Sequence, residues 1–85
     1  MLDEASEIIG MEIYAPNGIF VGKVSELVMD PDIRSITGII VSNPSPVFAD
    51  KGVILKIPFK WVQGIGDIII LKVFPTFIKS DGTVS

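Results

Sequence analysis

Eighty-five residues carry no cysteine, no histidine and a net charge of −3, which excludes disulfide staples, thiolate or imidazole metal ligands and a histidine general base. The acidic balance also argues against a general affinity for nucleic acid, which relies on clustered Lys and Arg. Hydrophobic residues make up 48% of the chain and the mean hydropathy is +0.58, yet one small domain buries only about 60% of the surface its unfolded chain exposes, so surplus apolar surface and self-association are expected.

The start, Met1 to Glu7, is acidic where a secretory signal would be positive. Ile9 to Tyr14 then reads as a first strand, with a helical turn over Ala5 to Ile9 as an alternative. Ala15-Pro16-Asn17-Gly18 is a hairpin turn, because Asn-Gly readily supplies positive φ. A second strand runs from Ile19 to about Met29. Its apolar phase switches between Val24 and Leu27, which calls for a β-bulge near Ser25-Glu26 and a bend that curls the sheet toward closure, with Gly22 relieving crowding there. Asp30-Pro31-Asp32 turns the chain into a third strand, Ser35 to Ser42.

Asn43-Pro44-Ser45-Pro46 ends that strand and opens the longest connection, which Val47 and Phe48 make more apolar than a solvated loop. Val53 to Ile57 is a fourth strand stopped by Pro58, followed by a single 3₁₀ turn at Phe59-Lys60-Trp61-Val62. Gly64-Ile65-Gly66-Asp67 forms a corner before a last strand from Asp67 or Ile68 to Phe74, apolar on both faces. The chain divides into an acidic segment 1–7, a folded domain 8–74 and a tail 75–85. Apolar stretches such as Ile68 to Leu71 fall far short of the roughly 20 residues of a membrane span, and the expected compartment is the cytoplasm. Residues 1–50 balance to −6 and residues 51–85 to +3, an asymmetry that folding is expected to erase by interleaving the halves.

No motif for chemistry emerges. Asp30 and Asp32 flank a proline in a turn, near Arg34, and suit turn formation better than a metal or acid–base pair. Ser and Thr lack a histidine to activate them. Gly64-Ile65-Gly66 lacks the third glycine and the strand-to-helix context of a phosphate loop. Lys60-Trp61 is a single cation–aromatic pair, too little for a single-strand nucleic-acid site. Trp61 is expected to plug an open barrel end, with an exposed interface role second.

Taken in order, Ile9-Gly10-Met11-Glu12-Ile13, Asn17-Gly18, Gly22-Lys23-Val24, Leu27-Val28-Met29-Asp30, Ser35-Ile36-Thr37-Gly38-Ile39-Ile40-Val41, Ile57-Pro58-Phe59 and Ile65-Gly66-Asp67-Ile68-Ile69-Ile70 resemble the PRC-barrel domain family, over about residues 8–73. The length is similar to that of its short, free-standing archaeal members. The resemblance implies an all-β fold, a small partly open β-barrel of five to six strands used as a docking module. Settings of such modules include the cytoplasmic domain of the photosynthetic reaction-centre H subunit, archaeal cell-division proteins, and the carboxy-terminal domain of a bacterial factor for 16S ribosomal RNA maturation.

The expectation is a non-catalytic adaptor without catalytic, metal or cofactor residues, a homodimer or higher oligomer that docks a protein partner in archaeal cell division. A module associated with ribosome or RNA maturation is the alternative. The contacts are expected at Val47, Phe48, Trp61, Phe74, Phe77 and Ile78.

Overall fold

The computed structural model describes residues 7–75. Seven short strands follow one another: β1 Glu12–Tyr14, β2 Phe20–Lys23, β3 Glu26–Asp30, β4 Ser35–Val41, β5 Leu55–Pro58, β6 Val62–Ile65 and β7 Ile69–Leu71, with a 3₁₀ turn Phe59–Trp61 between β5 and β6. They form a four-stranded sheet ordered β2-β1-β7-β6 and a three-stranded sheet ordered β3-β4-β5. The two sheets do not close on each other, which makes the fold an all-β, partly open barrel. The halves of the chain interleave, because β5 lies beside β4 and β7 beside β1.

The apolar alternation places one side chain in two into a common interior. Ile13, Val21, Ile39, Val41, Ile69 and Leu71 are fully buried there, joined by Val24, Leu55, Ile57, Phe48 and Ala49. Every buried residue among those described is apolar. The β1–β2 hairpin closes through a 2.8 Å bond from the Gly18 amide to the Ala15 carbonyl, and the Ile19 amide donates to Asn17 Oδ1 at 3.1 Å. Gly18 takes φ 85°, the conformation for which the Asn-Gly pair was read as a turn.

Several strand boundaries differ from the sequence reading, each for a local reason. The expected strand Ile19 to Met29 is two strands in different sheets, and the expected bulge at Ser25-Glu26 is instead the passage between them. The Val24 amide bonds to the Met11 carbonyl at 3.0 Å while the next amide, Ser25, bonds to the Ile40 carbonyl at 2.8 Å, so consecutive amides serve opposite sheets. Before β1, Glu7 and Ile8 are helical and the Met11 amide returns to the Ile8 carbonyl at 3.0 Å, which confines the first strand to Glu12–Tyr14. Pro58 lies within β5, tolerated because among the described residues β5 ends its sheet and has no strand on its other side to need the missing donor. Gln63, Gly64 and Ile65 belong to β6, and the corner falls at Gly66 to Ile68, tightened by a 3.0 Å bond from the Gly66 amide to the Ile68 carbonyl.

Candidate functional site: an aromatic corner and an outward apolar row

The long connection after β4 is a structural plug. The Ser45 amide bonds to the Val21 carbonyl at 2.7 Å, and the Ser45 carbonyl accepts the Phe48 amide at 3.0 Å. This pins the loop along the free side of β2 and turns Phe48 and Ala49 into the core, with exposures of 5% and 2%. The Phe48 ring meets Phe74 edge-on with centroids 5.1 Å apart, and Phe74 meets Trp61 edge-on at 6.3 Å. Such T-shaped pairs align ring edges with ring faces and add about 0.5–1.5 kcal/mol each beyond burial.

Of the residues expected at an interface, Phe48 is core, so its side chain supports Phe74 rather than offering surface. That part of the expectation is corrected by its burial. Trp61 and Phe74 are half-buried and packed against the core, so part of each ring remains outside. Val47 is exposed beside this corner in sequence. Phe77 and Ile78 lie outside the described residues.

A second apolar surface was not anticipated. On the outer face of the four-stranded sheet the register aligns Phe20 with Tyr14, Tyr14 with Ile70 and Ile70 with Gly64. Phe20 and Ile70 are 37% and 42% exposed, and the Tyr14 and Phe20 rings pack edge-on with centroids 5.6 Å apart. The hairpin turn alone could have suggested the Tyr14–Phe20 part. Its continuation to Ile70 depends on the parallel pairing of β1 with β7, which no local pattern announces. Glu12 Oε1 accepts the Tyr14 hydroxyl at 2.9 Å. That bond, followed by partial burial and the carboxylate charge, raises the Tyr14 pKa above its ordinary 10.0.

The acidic turn is accounted for structurally. Asp30 Oδ1 accepts the Asp32 amide at 2.8 Å and the Ile33 amide at 3.3 Å, the arrangement of an Asx turn. Among the described residues no helix is long and apolar enough to cross a membrane, and no three acidic residues converge as a metal site would need.

Two apolar features thus reach the surface: a half-buried aromatic corner and an outward row of apolar side chains across a sheet. Among curated proteins no relative matches the chain. A family model for the PRC-barrel domain matches residues 2–77, covering both sheets, the plug loop and the aromatic corner. The chain belongs to the PRC-barrel domain family.

Proposed function

We propose that this protein is a non-catalytic adaptor that self-associates and docks a protein partner, in the setting of archaeal-type cell division. The observation that carries the binding role is the outward row Phe20, Tyr14 and Ile70, held in fixed register on a four-stranded sheet. Aromatic and aliphatic side chains held on a sheet face lose little conformational entropy on docking and contribute most of their free energy by leaving water. The aromatic corner at Trp61 and Phe74 offers a second contact. The division setting rests on the likeness to short archaeal family members and belongs to that analogy alone.

The test is capture of partners from native cell extract by the wild-type protein and by Phe20→Glu and Ile70→Glu variants, with light scattering on the same samples. Division proteins retained by wild type and lost by both variants are the expected result. Recovery of ribosomal factors would replace the cell-division setting, and equal capture by all three proteins would remove the outward row from the reading.

A further inference from the structure

We infer, resting on the self-association reading above, that two copies of the chain meet through the outer face of the three-stranded sheet. A two-fold axis along β4 relates them and sets Glu26 of each copy against Lys56 of the other. The outward row of the four-stranded sheet is then left to the protein partner.

The register defines this face. Leu27, Ile39 and Ile57 align across β3, β4 and β5 on the inner side, where Ile39 and Ile57 are buried and Leu27 packs against the core. Alternation turns the rows on either side of them outward. One row is Glu26, Ile40 and Lys56, and the other is Val28, Gly38 and Pro58. Both lie within paired strands, ahead of the register shift between Val28 and Met29. Glu26 and Lys56 are exposed, while Val28, Ile40 and Pro58 are half-buried.

Opposite charges thus flank the central strand. Glu26 and Lys56 stand one strand to either side of Ile40, their backbones about 10 Å apart at ordinary strand spacing. Among the described residues neither side chain has an ion pair or a hydrogen bond. The Lys56 stem lies against β4, since a side-chain carbon added at Gly38 would stand 3.7 Å from Lys56 Cε. Gly38, with no side chain of its own, gives that stem room to lie along the face.

A contact between identical copies about a two-fold axis needs a patch that complements itself. An axis along β4 exchanges the positions of β3 and β5. Glu26 of each copy then meets Lys56 of the other, Val28 meets Pro58 of the other copy, and the two Ile40 side chains meet on the axis. Charged residues lie outermost with apolar residues between them, and the two sheets pack face to face with their strands aligned. The row on the four-stranded sheet lacks this symmetry. It runs from Phe20 and Tyr14 through Ile70 to the bare Gly64, with no charge in it, and so suits a different molecule.

The test is sedimentation equilibrium at low salt on wild type, Glu26→Lys, Lys56→Glu and an equimolar mixture of the two variants, with circular dichroism as the folding control. Each variant alone sets like charges together at both contacts, while the mixed dimer restores opposite charges at both. Wild type is expected to dimerise, each variant to dissociate roughly tenfold more readily, and the mixture to recover. Phe20→Glu should dimerise as wild type does. A wild-type dimer unaffected by the charge variants, weakened without recovery in the mixture, or abolished by Phe20→Glu would overturn this face and leave self-association standing. A wild-type monomer up to millimolar concentration would remove both.

Discussion

Gly22 lies so close to Val41 that a side-chain carbon built on it would stand 2.6 Å from Val41 Cγ1, with the Pro44 backbone at 3.4 Å behind. Val41 is fully buried and β-branched, so it has little rotamer freedom with which to retreat. Gly22→Ala is expected to destabilise the fold by about 2–3 kcal/mol, as overpacked cores do. Urea denaturation checks this. If steric contact is the cause, Gly22→Ala combined with Val41→Ala will cost measurably less than the sum of the single changes.

The core prediction is of the opposite kind. Ile69 is fully buried on β7, between β1 and β6 in the sheet. Ile69→Ala should cost about 2–5 kcal/mol through lost transfer free energy and the cavity left behind. Exposed Ile33→Ala, at 70% exposure, should change stability by roughly 0.5 kcal/mol or less. Equal effects in thermal melts would contradict the assignment of core and surface.

Tyr14 is the only tyrosine, so tyrosinate absorbance reports on it alone. Its titration should lie above 10.0, and Glu12→Gln should bring it down by removing the carboxylate acceptor and its charge. A phenol whose folded pKa is raised contributes stability that is fully present below the unfolded value of 10.0 and lost as pH rises through the folded value. The stability difference between wild type and Tyr14→Phe should therefore shift in that alkaline window.

The turn after β3 contains two opposed effects. Asp30 Oδ1 bonds to two backbone amides, so Asp30→Ala should cost about 1 kcal/mol while Asp30→Asn, which keeps an acceptor, should cost less. Arg34 takes φ 54°, a left-handed conformation that disfavours a side chain by roughly 1–2 kcal/mol. Arg34→Gly should accordingly stabilise the protein modestly, because the relief of that strain exceeds the added freedom of the unfolded chain.

Phe74 stands between Phe48 and Trp61. Phe74→Ala should open the aromatic corner, shift the emission of the single tryptophan to the red, and cost about 2–4 kcal/mol. An unchanged spectrum would show that Trp61 is held by other contacts.

Much of this architecture was legible in local patterns. Asn17-Gly18 marked a hairpin, Asp30-Pro31-Asp32 a turn, and the apolar Val47-Phe48 loop an unusual connection, which it is, because Ser45 fastens it to β2 and turns Phe48 inward. The family likeness supplied the barrel. The division of Ile19 to Met29 into two strands could not be read, since a bulge and a change of sheet leave the same phase switch in the sequence. β6 was hidden because Gly64 and Gly66 imitate a turn, although Gly64 sits in the ladder opposite Ile70. The outward row escaped notice for a different reason: its members lie far apart in the chain and meet only through pairings between distant strands.

The parallel pairing of Ile13 with Ile69 and of Tyr14 with Ile70 also bears on how the protein is made. The inner strand beside β1 is the last in chain order among the described residues, so the four-stranded sheet has no centre until β7 has left the translation machinery. Folding therefore waits for nearly the whole domain, at the cost in loop-closure entropy that slows β-rich topologies of high contact order. During that interval Ile13 and its hairpin lack their partner strand, and the apolar surface they expose is open to aggregation.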